Sequence, residues 1–250
     1  MNDLLEKMQG IVIKTQDYGE THKIVTLFSN KWGKIAAIAR GAKKPKSRMA
    51  AVTQPFINGE FFIYVNSGLS TIQQGEVLDS NRWIREDIIK TAYASYVAEL
   101  TDKLTDSRLP DLNLYNQLQG TLNWIGEQDD MDVPIMMYEL KLFARAGITP
   151  VLDKCVLCGE ETGPFAFSIA EGGFLCEQCQ YNDRQTFPLS LKQTQLLRLF
   201  AGVELERVGT ISVKDENKQW LRKLIDAYYD AHGGYYLKSK RFLRQMDQLR

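Results

Sequence analysis

The chain has 250 residues, 44% apolar and 25% charged, enough for one large domain or two to three small ones with an ordinary core. It has no apolar run of about eighteen residues to cross a bilayer, and its start, MNDLLEKMQG, lacks the basic-then-apolar pattern of a secretory signal, so a cytoplasmic protein is expected. Lys plus Arg number 31 and Asp plus Glu 31, which excludes a uniformly basic or acidic protein but not a chain that segregates its charges.

The first eighty residues read as five strands. Short β-branched or aromatic runs at 10–15, 23–28, 34–39, 56–65 and 69–77 are separated by Gly, Asn and Ser clusters, the punctuation that strand–turn spacing requires. The longest connection, 41–55, falls between the third and fourth strands. Five strands in that order match an OB barrel, a frequent nucleic-acid-binding fold, and an SH3-like barrel fits nearly as well. The period then changes. Trp83, Ile84, Ile88, Ala92, Tyr96, Leu100 and Leu104 recur three to four apart and predict an amphipathic helix. Leu114 to Ile125 predicts a second, closed by Gly126 and the acidic EQDDMD. Pro134 sits early in a third that stops at Gly147. After residue 187 helices resume, with Ser190 and Gln193 spaced as a capping box, a helix through Trp220 and Tyr228 ended by Gly233-Gly234, and a short basic helix from Ser239 to Leu249. The expected fold class is therefore α+β and multi-domain. A five-stranded OB-like barrel occupies 1–80, a helical bundle 81–150 with 188–250, and an insertion 151–187.

That insertion holds every cysteine of the chain. Cys155-Val-Leu-Cys158 and Cys176-Glu-Gln-Cys179 are separated by seventeen residues, the paired pattern of a zinc ribbon. Two residues between thiolates let one tight knuckle aim both sulfurs at one ion, and two knuckles complete a tetrahedron. Soft thiolates select zinc over magnesium or calcium, and a closed four-sulfur shell leaves no position for water, so one structural Zn2+ is expected. A redox Cys-x-x-Cys pair or unliganded cysteines are the alternatives, and two paired motifs oppose both. No catalytic site emerges. His22 and His232 are the only histidines, and each reads as a surface residue. No nucleophile elbow, P-loop or dinucleotide fingerprint is present, and the acidic cluster at Asp129, Asp130 and Asp132 reads as a solvated helix start. A binding protein is the better reading than an enzyme.

Charge shows where it binds. Residues 1–80 carry ten cations and seven anions, 81–187 nine and seventeen, and 188–250 twelve and seven. Between Glu20 and Glu60 lie eight Lys or Arg and no acid. Five of these are in RGAKKPKSR, residues 40–48: Arg40, Lys43, Lys44, Lys46 and Arg48. A solvated loop is the plain reading of such a run. Its place in the long connection of an OB-like barrel, beside the aromatics Tyr18, Phe28, Trp32, Phe61, Phe62 and Tyr64, favours a grip on nucleic acid. Most of those rings must be core. Trp32, in a turn beside Lys34, is the one expected to be exposed and, with Lys34, to join the DNA-binding set.

The same residues resemble the RecO family of bacterial DNA repair proteins. The likeness lies in Asp17-Tyr18-Gly19-Glu20, in Phe28-Ser29 to Gly33, and above all in Ala39-Arg40-Gly41-Ala42-Lys43-Lys44-Pro45-Lys46-Ser47-Arg48. It continues in Tyr138-Glu139-Leu140-Lys141-Leu142, Gly147-Ile148-Thr149-Pro150 and Lys238-Ser239-Lys240-Arg241-Phe242-Leu243. The resemblance implies an OB fold, a helical domain and the zinc-bearing insertion. It implies a cytoplasmic, nucleoid-associated protein that catalyses no covalent step. Such a protein binds single- and double-stranded DNA, anneals complementary strands, and with RecR helps RecA onto strands covered by single-strand-binding protein. It also implies a role for Lys238, Lys240, Arg241 and Arg244, either as an extension of the DNA track or as a seat for the acidic tail of single-strand-binding protein. The competing class is an adaptor whose barrel and ribbon mainly contact other proteins. A zinc-dependent hydrolase is a weak third, since it needs an open metal site.

Overall fold

The computed structural model describes residues 4–183, 185–208 and 213–247. Two compact units divide it: residues up to Met131 with those from Leu237 onward, and Asp132–Tyr236.

The first unit is built on a closed five-stranded barrel, β1 (Leu4–Tyr18), β2 (His22–Ser29), β3 (Gly33–Ala39), β4 (Asn58–Val65) and β5 (Ser70–Asp79), in the order β1-β2-β3-β5-β4. One strand makes closure possible. The first half of β1 pairs with β4, from Leu4↔Val65 to Ile11↔Asn58, and its second half with β2, from Gly10↔Ser29 to Tyr18↔His22. A bulge between Val12 and Lys14 bends it from one partner to the other. The remaining seam, β3 with β5, is parallel and short, Ala37↔Ser70 to Ala39↔Ile72. This order, with the short helix α1 (Arg48–Val52) between the third and fourth strands, is that of the OB barrel, and it settles the choice left open with the SH3-like alternative. Met8, Val12, Val25, Leu27, Ile35, Phe61 and Ile63 fill the interior, and Val52 of α1 plugs one end. Phe61 and Ile63 are wholly buried, each contributing about 2 kcal/mol by area. The turn into β3 depends on Gly33. Its φ of +61° suits glycine, and a Cβ there would lie 2.0 Å from the Leu109 carbonyl oxygen.

Four helices complete this unit: α2 (Arg82–Glu86), α3 (Ile88–Leu104), α4 (Leu112–Glu127) and α9 (Lys238–Asp247). The single helix expected over 83–104 is broken at Asp87. Its backbone is extended, and its carboxylate accepts from the Ile89 and Lys90 N–H groups at 2.8 and 3.1 Å, starting α3 afresh. α3 packs on β1 and on α9. The Glu99 carboxylate accepts from both Lys238 N–H (3.2 Å) and Ser239 N–H (2.8 Å) at the start of α9. The helices expected to form one bundle are thus shared out, α2–α4 and α9 with the barrel and the rest with the cysteine segment.

The second unit carries α5 (Asp132–Arg145), α6 (Leu191–Gly202), α7 (Leu205–Val208) and α8 (Asp215–His232). The capping box expected at Ser190 and Gln193 is present at the start of α6. A four-stranded sheet, β6 (Val151–Cys155), β7 (Phe165–Ser168), β8 (Gly173–Cys176) and β9 (Thr186–Pro188), has the order β6-β8-β7-β9. It is held to the helices by aromatic contact, Phe167 edge-on to Tyr228 at 5.6 Å and Tyr228 to Phe143 at 5.7 Å. Glu139, 1% exposed, has its charge matched by Arg222 through contacts of 2.7 and 2.8 Å.

Candidate nucleic-acid interface and metal centre

The basic segment leaves the barrel where β3 ends at Ala39. Its backbone is pinned at three points. Gly41 N–H donates to His22 Nδ1 at 2.9 Å, Lys43 N–H donates to the Thr21 carbonyl at 3.0 Å, and Ala42 is buried in the barrel core. Internal turns follow, from Lys44 N–H to the Gly41 carbonyl (3.0 Å) and from Ser47 N–H to the Lys44 carbonyl (3.2 Å), with Gly41 and Lys46 in the left-handed region. The small residues face inward and the cations outward. Arg40, Lys43, Lys44, Lys46 and Arg48 are all exposed. Lys43 is matched by Asp17 at 2.8 Å, and that hydrogen bond holds the Asp17 carboxyl below its ordinary range. Among the described residues the other four have no acidic partner. Four uncompensated cations in one pinned loop form a patch of positive potential.

Two residues expected at this patch sit elsewhere. Trp32, partly buried, packs against the barrel core, and its indole N–H is buried without an acceptor. Lys34 reaches the other way. Its ammonium donates to the Asp102 carbonyl and stands 3.6 Å from the Asp102 carboxylate, with the side chain 13% exposed. The second basic cluster is thinner than its sequence. In α9 Lys238 and Arg241 are exposed, but Lys240 is buried against the unit with its own partners. The side chain of Arg244 lies outside the described residues.

The cysteines converge. β6 and β8 run parallel, so their C-terminal ends lie together, and each strand ends on the first cysteine of a pair, Cys155 and Cys176. Gly159, at φ +80°, turns the first knuckle, and its N–H donates to the Cys155 carbonyl at 2.9 Å. In the second, Cys179 N–H donates to the Cys176 carbonyl at 3.0 Å. All four sulfurs lie within 4.8 Å of one another, with Cys158 and Cys176 3.6 Å apart. A tetrahedron with Zn–S bonds of about 2.3 Å has edges of about 3.8 Å, so the set fits zinc. The thiol chemistry asks for a cation. Burial opposes ionisation of Cys155, yet the N–H groups of Cys176, Cys158 and Leu157 hold it down to about 6. The Cys158 thiol beside it, then burial, push Cys179 up to about 12. Four thiolates cannot share this space without a positive ion between them. Arg198 of α6 braces the sheet from behind, donating to the Leu152 and Asp153 carbonyls at 2.7 and 2.9 Å and lying over the Phe165 and Phe174 rings.

With both sites placed, comparison with known proteins is decisive. Residues 1–81 match the model for the N-terminal part of recombination protein O, and residues 85–241 the model for its C-terminal part. The DNA repair protein RecO of Oceanobacillus iheyensis is 60% identical over 244 residues, covering 98% of this chain and 95% of that protein. The chain belongs to the RecO family. The RecO proteins of Bacillus pumilus and Bacillus cereus agree, each 46% identical and covering 99% and 98% of the chain, and 96% and 99% of their own lengths.

The RecO resemblance carried by residues 39–48 thus falls on the pinned loop, and that of Gly147 to Pro150 on the lead into β6. Two residues of the loop's architecture escaped the sequence reading. His22 is its anchor, not an idle surface histidine, and Asp17 is its one counter-charge among the described residues. Neither is near 40–48 in sequence, and no spacing signals a contact made through a strand pairing.

Proposed function

We propose that this chain is a DNA repair and recombination protein that binds single- and double-stranded DNA through the segment 40–48. Four exposed cations, Arg40, Lys44, Lys46 and Arg48, stand without acidic partners among the described residues on a loop fixed to an OB barrel, and this observation carries the reading. Phosphates of either strand form neutralise such cations and release counterions, which gives affinity without sequence reading. Long lysine stems on a fixed backbone suit annealing. They screen the repulsion between two strands while leaving base edges free to pair. Lys238 and Arg241 extend the cationic surface or receive an acidic peptide. In the same reading the protein works with RecR, and RecA is assisted onto strands held by single-strand-binding protein. No covalent step is assigned to it, and the cell interior near the nucleoid is its place of action. One structural Zn2+, held by Cys155, Cys158, Cys176 and Cys179, is the cofactor. When bound it supplies folding energy and no reaction chemistry, since a four-sulfur shell has no open position.

The test is a DNA-binding titration across a salt series with Lys43, Lys44, Lys46 and Arg48 replaced together by Ala. The replacement is expected to weaken binding at low salt by two orders of magnitude or more and to flatten the log–log salt slope by roughly two to three for a single strand, about 0.7 per lost phosphate contact. Unchanged binding and slope would sink the loop's role and leave the protein-contact adaptor as the better reading.

A further inference from the structure

Strand register fixes which residues share the outer surface of the barrel. On β4, Phe61 and Ile63 point inward and are wholly buried, so Phe62 and Tyr64 project outward. Both are only partly buried. Phe62 pairs with Lys7 of β1 on one side and Gln74 of β5 on the other, and Tyr64 pairs with Leu5 and Thr71. Lys7 Nζ stands over the Phe62 ring, 5.8 Å from its centre. Leu5 is 47% exposed and Gln74 is exposed. The next row, Gln9, Glu60 and Glu76, is acidic, and Lys7 matches Glu60 at 2.9 Å. The face is therefore aromatic and close to neutral, with its acids at one end.

Along β5 the face borders the end of the basic segment. Gln74 also lines a cleft of about 530 Å³ between α1 and β5, together with Gln73, Gly75, Met49, Val52, the acidic Glu76 and Arg48, the last cation of the segment. Arg48 and the Phe62 row therefore meet through Gln74 at this cleft, with Glu76 beside them. The spacing of the rings selects the ligand. Residues i and i+2 of a strand lie about 7 Å apart, twice the 3.4 Å spacing of bases along a duplex strand. Bases resting on both rings must be unstacked from each other, which a single strand permits and a duplex does not.

We infer that the outer face of β1, β4 and β5 is a stacking platform for single-stranded nucleic acid, with Phe62 and Tyr64 as seats for two bases. The inference rests on the reading that the basic segment holds the phosphates, and it adds a part that distinguishes single strand from duplex. Arg48 brings the backbone to the cleft, Gln74 offers an amide to base edges at the border, and Lys7 holds the far side of the Phe62 ring.

Replacing Phe62 and Tyr64 together by Thr, a good strand former, tests it. Affinity for oligo(dT) is expected to fall about tenfold or more. The salt slope and the affinity for duplex should stay as they are, because no phosphate contact is lost. Unchanged oligo(dT) affinity, or an equal loss for duplex, overturns the platform. A second measurement needs no variant. Oligo(dT) carrying 5-iodouracil, irradiated with the unaltered protein, should crosslink to the peptide that contains residues 61–64, and crosslinks confined to other peptides overturn the inference. The loop variant run beside these separates the two ideas. An unaltered slope there removes the loop's role, whereas the platform stands or falls on the Thr variant and the crosslink.

Discussion

The loop at 40–48 and the cysteine ribbon are both short, locally coded segments, and they work by opposite means. The ribbon satisfies its ligand atoms: four sulfurs held within 4.8 Å by two knuckles and a parallel strand pair, with the surrounding carbonyls and rings in use. The loop leaves its charges unsatisfied: the backbone is pinned by His22 and Thr21, and four of five cations have no acidic partner among the described residues. A structural site must be complete before its ligand does anything else. A site that gains affinity by counterion release must stay incomplete until the polyanion arrives.

That contrast predicts where a substitution is felt. The largest effect is expected in the ribbon. Cys155→Ser should abolish stoichiometric zinc and expose the amides of 151–176 to hydrogen exchange, with DNA affinity changed little; zinc retained at one per chain would mean the ligand set is misassigned. The loop cations should behave in reverse, losing DNA and keeping the thermal midpoint. A smaller effect belongs to the anchor. His22→Ala removes the acceptor of Gly41 N–H, and a buried or part-buried hydrogen bond of this kind is worth about 1 kcal/mol. Amide exchange at 41–43 should quicken several-fold while the salt slope holds, since no cation is lost. A flattened slope would show that the pinned backbone sets the charge geometry. The smallest effect is at Asp17. Its carboxyl is held low by Lys43, so the pair is intact at neutral pH and is lost only as pH falls through that lowered value. Asp17→Asn should free one cation and steepen the single-strand salt slope by no more than about 0.7. A flatter slope would mean that Asp17 orients Lys43 toward the phosphate.

The two basic clusters show how far sequence could go. Residues 40–48 and 238–244 read alike, each a dense run of Lys and Arg. In the loop the small residues Gly41 and Ala42 turn inward and leave every cation outside. In α9 the 3.6-residue period carries Lys240 to the buried face, and Glu99 of α3 occupies the amides at the helix start. Charge density was legible, and accessible charge was not. The surroundings of Trp32 and Lys34 were illegible for a like reason. A turn position says nothing of whether its ring packs against a barrel core, or whether a lysine finds an aspartate 68 residues away.

Local chemistry alone determined much of this protein. The strand punctuation gave five barrel strands, the Cys-x2-Cys pairs gave a four-sulfur cluster placed to bind a metal ion, Ser190 and Gln193 gave a helix start, and the run of cations gave the loop. Each is a short-range pattern whose physical cause lies within a few residues. Tertiary structure decided the rest: closure by a bent β1, the division of the helices between two units, the partner of each lysine, and the row that sets Phe62 between Lys7 and Gln74. These depend on register and packing between distant segments, and a one-residue slip in pairing would turn Phe62 inward and Phe61 out.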